Sequence, residues 1–196
     1  MIRSTAFALV KQWTATGIIC RSNAEIYRYG LELLISTFIN LVIMLGISTA
    51  FGHPFIVIPY LLAFIPLRLF AGGYHARNHL FCILLNTAAY FVSCLLAVCL
   101  EKTAAVFVTL LGNFTSFALI ILFAPIPAKN RPLSVAEKSR NRTISLLLAS
   151  TYSSVCIILY CLHLLGNTMS IMLFCGQMMA TFLLFGGILM QLFSKV

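Results

Sequence analysis

Apolar positions run through this chain in six long blocks, separated by short polar or proline-bearing breaks. The blocks cover residues 33–50, 54–70, 80–100, 104–124, 143–165 and 168–193. A helix rises about 1.5 Å per residue and a bilayer's hydrocarbon core is about 30 Å thick. Each block is therefore long enough, or nearly so, to cross a membrane as one helix. The second is short and holds Pro54, Pro59 and Pro66. Pro54 suits a first helical turn, whereas Pro59 and Pro66 each remove a backbone hydrogen bond and favour a kink. Residues 1–30 have a different pattern. On a continuous helix Arg3, Lys11, Arg21 and Arg28 fall within an arc of about 100°, and Ile2, Leu9 and Trp13 cluster away from it, although Phe7 and Ile18 stray toward the basic arc. This predicts an N-terminal amphipathic helix lying in the membrane interface. The whole pattern predicts an all-α integral membrane protein with six transmembrane helices, forming a single polytopic domain over residues 1–196.

Composition removes the soluble alternative. The chain is 61% hydrophobic and only 9% charged, with a mean hydropathy of +1.03; a soluble domain carries about a quarter charged residues. No cleavable signal peptide is expected, because basic residues interrupt the first 30 positions. Charge then sets the orientation. With six spans, the N-terminus, the segment 71–79, the segment 125–142 and the C-terminus share one side of the membrane. Of the 13 Lys and Arg residues, all but Lys102 fall there. The positive-inside rule makes that side cytoplasmic, so both termini are expected in the cytoplasm of a multi-pass protein. The lipid bilayer is an expected partner and nucleic acid is not.

The candidate chemistry lies in Arg68-Leu-Phe-Ala-Gly-Gly-Tyr-His-Ala-Arg-Asn-His-Leu-Phe-Cys82. Cys94, Cys99, Cys156, Cys161 and Cys175 sit inside apolar runs, where a cysteine behaves as a small hydrophobe. Cys82 instead lies near the expected cytoplasmic start of the third span, with His75 seven residues before it. A cysteine acts as a nucleophile through its thiolate, and an imidazole can take the thiol proton and later return it to a leaving amine. On one straight helix residues seven apart are about 10.5 Å apart along the axis, too far for a hydrogen bond. The pair can meet only if His75 folds back over the first turns of the helix, and Gly72-Gly73 supplies that freedom. Glu25, Glu32, Asn78 or a backbone carbonyl could orient His75, or the two could act as a bare dyad. Arg68 could bind a substrate carboxylate or simply extend to the interface. His75, His79 and Cys82 also form H-x3-H-x2-C, but three ligands without a second cluster do not complete a zinc site. Neither metal nor cofactor is expected. The alternative to an enzyme is a small membrane peptide transporter without proteolytic activity, for which intramembrane charge pairs would speak; the spans hold almost no ionisable groups.

The proline-bracketed stretch Ala124-Pro-Ile-Pro-Ala-Lys-Asn-Arg-Pro-Leu133 continues into Lys138, Arg140 and Arg142. It reads either as a stop-transfer charge cluster or as a dock for an acidic ligand. Gly176, Gly186 and Gly187 in the last span would allow close helix contact in a homodimer, which the sequence leaves open.

The pattern R-x4-G-x-H-A-x5-C, present as Arg68, Gly73, His75, Ala76 and Cys82, resembles the accessory gene regulator B (AgrB) family of bacterial membrane endopeptidases. The segments Glu25-Ile-Tyr-Arg-Tyr-Gly-Leu-Glu32 and 124–133 resemble the family as well, so the likeness covers nearly the whole chain. The resemblance implies His75 as general base and Cys82 as nucleophile, in the cell membrane of a bacterium. It implies a substrate with an amphipathic leader and an acidic C-terminal tail, an AgrD-like precursor. Cys82 would release the tail and form a thioester, which an internal Cys or Ser of the precursor would capture as a thiolactone or lactone autoinducer for quorum sensing. Arg68, Gly72, Gly73, Lys129 and Arg131 are the residues expected to bind that substrate. Lys129-Asn130-Arg131 is less densely basic than the family's loop often is.

Overall fold

The computed structural model describes residues 2–73, 79–126, 133–164 and 167–193. Helix α1 spans Ile2–Ala15, α2 Ala24–Ala50, α3 Val57–Ala71, α4 His79–Cys99, α5 Lys102–Phe123, α6 Val135–Cys161 and α7 Thr168–Phe193. Six of them, α2 to α7, are long and apolar enough to cross a membrane, so the chain is a multi-pass membrane protein. Among the described residues there is no strand, only one isolated bridge between Gly72 and Ile126. The starts of α2, α4 and α6 and the ends of α3, α5 and α7 share the end of the bundle that carries Arg21, Arg28, Arg68, Lys138, Arg140 and Arg142. Lys102 sits at the other end.

The N-terminal helix is present but shorter than the pattern over residues 1–30 suggested. Thr14 and Thr16 turn their hydroxyls onto the Val10 and Gln12 carbonyls, and Gly17 then reverses the chain at φ 74°. Arg21 and Arg28 therefore leave α1, and residues 24–32 extend α2 toward the basic end. Helix α1 packs Ala6 and Val10 against that extension. The buried Glu32 ties the two together, 3.9 Å from Arg3 and 3.7 Å from Arg28, and Arg28 also meets Glu25 at 2.5 Å.

Helix α6 also begins earlier than its apolar block, at 135 instead of 143. Ser134 accepts a hydrogen bond from the Glu137 N–H at 3.2 Å, and the Glu137 carboxylate accepts one from the Ser134 N–H at 2.9 Å. This reciprocal cap satisfies two of the helix's four unpaired N–H groups and lets it start in a polar sequence. Lys138, Arg140 and Arg142 are consequently helical, and the proline-bracketed loop ends before them.

The prolines of α3 act unequally. Pro59 falls in the first turn, where a missing N–H opens no gap in the ladder, so the kink expected there has no cause. Pro66 lies inside the helix and leaves the Leu62 carbonyl without its i+4 donor. The Tyr152 hydroxyl of α6 donates to that carbonyl at 2.8 Å. A polar group freed by proline at membrane depth must find such a partner, because lipid offers none.

Helix α7 is the centre of the bundle, packed on α3, α4 and α5 and the most buried of the six. Its Gly176 lets it approach α3 until a Cβ at that position would stand 2.2 Å from the Tyr60 carbonyl oxygen. One apolar cluster, around Tyr60, Tyr90 and Met172, fills the end of the bundle away from the cations. A second, around Leu67, Ile120, Ala149 and Leu184, fills the basic end beneath the candidate site. Large apolar side chains such as Phe38, Leu62, Phe107, Phe114 and Phe182 point outward, as lipid contact requires.

Candidate active site at the basic end of the bundle

The site begins where α3 stops. Arg68, in its last turn, folds forward and donates from Nη1 to the Gly72 carbonyl. The final carbonyls of a helix have no partner within it, and a basic side chain there supplies one. The chain then passes through two left-handed residues, Gly72 at φ 75° and Gly73 at φ 120°. Conformation is only half of why both are glycine. At Gly72 a Cβ would stand 2.1 Å from the Ile126 carbonyl oxygen, and at Gly73 one would stand 2.7 Å from both the Leu183 carbonyl oxygen and the Arg68 guanidinium.

Those approaches join two loops. The Ile126 N–H donates to the Ala71 carbonyl at 2.9 Å, and Gly72 bridges to Ile126 in parallel fashion. The segment that leads into His75 is thereby stapled to the segment that leads into Lys129 and Arg131. His75, Asn78, Lys129 and Arg131 themselves lie outside the described residues.

Cys82 is the fourth residue of α4, half-buried, at the same end of the bundle. The guanidinium of Arg68 lies within electrostatic reach of its sulfur. The Asn86 carboxamide, one helical turn further along α4, donates to Sγ at 3.6 Å. Other cysteines differ: Cys94, Cys156 and Cys175 are buried in the apolar clusters, and Cys20, Cys99 and Cys161 are exposed at the ends of the bundle. The Cys82 thiol is thus partly accessible, with a hydrogen-bond donor on its sulfur and a cation within electrostatic reach. Of the expected site residues, Arg68, Gly72, Gly73 and Cys82 thus come together. Both glutamates considered as partners for His75 are held by arginine, Glu25 by Arg28 and Glu32 by Arg3 and Arg28.

Sequence reasoning passed over Asn86. The available signal was a carboxamide inside an otherwise apolar run, one helical turn after the candidate nucleophile. Residues four apart share a helix face.

The family model described as accessory gene regulator B matches residues 4–194. The chain belongs to the AgrB family. The match takes in α1 through α7, so the basic-end site lies inside the AgrB region. AgrB membership ties the protein to the processing of accessory gene regulator autoinducers in quorum sensing, with an AgrD-type precursor peptide as partner. No curated protein and no solved structure matches the chain.

Proposed function

We propose that this AgrB-family protein is a cysteine endopeptidase of the bacterial cell membrane, with its termini and site on the cytoplasmic side, that removes the acidic C-terminal tail of an AgrD-type precursor. The observation that carries the reading is the setting of Cys82: a half-buried thiol at the start of α4, with Asn86 donating to its sulfur and Arg68 within electrostatic reach. Cys82 Sγ attacks the carbonyl carbon of the peptide bond before the tail, and the thiol proton passes to His75. The C–N bond then breaks, His75 returns the proton to the leaving amine, and the tail departs. The acyl group stays on sulfur as a thioester. A Cys or Ser side chain of the same precursor attacks that thioester, closes the ring and frees Cys82. Because the acyl group stays activated as a thioester, exchange with that side chain closes the ring without prior hydrolysis.

Lys129 and Arg131 act in this reading as the dock for the acidic tail. Ile126, three residues before Lys129, is joined to the Ala71-Gly72 backbone, and a tail held by Lys129 and Arg131 would then lie at the same end of the bundle as the scissile bond. The attraction between the cationic loop and an acidic tail is long-ranged and weakens with salt.

The test is intact-mass analysis of the purified protein after incubation with an AgrD-type precursor from the same genome, for wild type and Cys82→Ala. An acyl adduct on the wild type alone, accompanied by a free acidic fragment, supports the mechanism. Absence of both from a folded wild-type protein rejects it.

A further inference from the structure

We propose that Asn86 is a catalytic residue, whose carboxamide N–H moves from the Cys82 sulfur to the oxygen of the tetrahedral intermediate. The proposal rests on the reading of Cys82 as the nucleophile. The Asn86 Nδ2 stands 3.6 Å from Sγ, on the same face of α4 and one turn deeper. When Sγ bonds to the substrate carbonyl carbon, the π pair of the C=O moves onto oxygen. That oxygen is then two bonds from the sulfur that Asn86 already faces. A small rotation of the carboxamide carries the N–H from one atom to the other.

Such a donor is needed there. An oxyanion forming at the edge of a bilayer has little water to solvate it, and a fixed N–H stabilises it without reorganisation. Beyond its first turn a helix has no backbone N–H to spare. Cys82 closes the first turn of α4, so a donor further along the helix must be a side chain. Asn86 is also costly without a use, since a carboxamide inside an apolar span loses water contacts that hydrocarbon cannot replace. When the intermediate collapses, the pair returns to the C=O, the C–N bond breaks and the amine takes its proton from His75. Asn86 gives up no proton at any stage.

The experiment compares wild type, Asn86→Ala, Asn86→Leu and Asn86→Gln as full-length protein in lipid vesicles. Two rates are read by intact mass: single-turnover acylation of Cys82 by the AgrD-type precursor, and alkylation of Cys82 by iodoacetamide, which forms no oxyanion. The expected result is acylation slowed by about 100-fold or more in Asn86→Ala and Asn86→Leu, in line with the loss of one oxyanion donor. Alkylation should fall far less, and Asn86→Gln should regain part of the acylation rate. Asn86→Leu keeps the branched shape of the side chain, so it carries the test if Asn86→Ala fails to fold. Acylation at the wild-type rate in both donor-less variants overturns the proposal while leaving Cys82 as nucleophile. Equal losses in the two reactions also overturn it, since Asn86 would then only support the thiol. A wild type that forms no adduct removes the reading of Cys82, and the role of Asn86 falls with it.

Discussion

Gly72 and Gly73 illustrate how much one residue type can conceal in a sequence. Read from the chain alone, the pair offered backbone freedom. The fold uses that freedom, but it also needs the missing Cβ atoms, because the Ile126 and Leu183 carbonyls occupy their space. Gly72→Ala should therefore cost on the order of 1–3 kcal/mol from the left-handed backbone alone, with the clash added. It should lower both the thermal midpoint in detergent and precursor cleavage. Gly46→Ala is the control: that position is helical and has open space around it, and the change should be neutral or stabilising by up to about 1 kcal/mol. Equal behaviour of the two variants would show that the loop contact does not form. Among the cysteines, Cys82→Ala is expected to abolish cleavage, as is His75→Ala, while Cys94→Ala and Cys156→Ala remain active. Cys82 stood out as a candidate because its neighbours in sequence set it apart from thiols in apolar runs; that the Asn86 carboxamide donates to its sulfur became visible only in the folded helix.

At the scale of elements, the hydropathy blocks located the spans well but their polar ends poorly. An apolar block marks the part of a helix that meets lipid; the polar turns that continue it are decided by caps and breaks. Ser134 and Glu137 start α6 before its block, and Gly17 ends the N-terminal helix before residue 30. Both signals are local and could have been read. The pairing of Tyr152 with the Leu62 carbonyl could not, since it joins residues of different helices. That pairing makes a sharp prediction. Tyr152→Phe should destabilise the protein by about 0.6 kcal/mol, the average for hydrogen bonds within membranes, as judged by thermal unfolding. In a Pro66→Ala background the new N–H can take the Leu62 carbonyl itself, so the cost of Tyr152→Phe should shrink toward zero. A double-mutant cycle reads that coupling directly. Additive costs would mean the hydroxyl does not serve the gap left by Pro66. The basic loop gives a second test at this scale. Changing Lys129 and Arg131 together to Gln should raise the precursor concentration needed for cleavage, with a smaller effect at high salt. A cleavage curve unchanged in both midpoint and salt dependence would reduce the loop to a topology signal.

For the whole molecule, the distribution of cations that suggested an orientation can be checked with cysteines already in place. Cys20 lies at the basic end, and Cys99 and Cys161 close α4 and α6 at the other; all three are exposed. A membrane-impermeant maleimide added to intact cells should label Cys99 and Cys161 and spare Cys20. Cys20 should react only after the cells are opened. Labelling of Cys20 in intact cells would invert the topology and put the site outside. The number of spans was legible because each must carry its own apolar length to enter lipid. Their arrangement was not: polar residues such as Ser48, Asn113 and Gln177 and small ones such as Gly176 mark inward-facing positions, but not which helix each one faces.

The central place of α7 has a consequence for how the protein comes into being. Each span can enter the bilayer alone, but α3, α4 and α5 pack their inner faces on the helix that leaves the ribosome after them. Until then the space opposite the Tyr60 carbonyl has no tenant, and the Leu183 backbone that Gly73 leans on does not yet exist. The site is assembled by the last helix described, so a chain halted before Thr168 would be inserted in the membrane yet unfinished. Synthesis itself thereby leaves the candidate site incomplete until the polypeptide has reached α7.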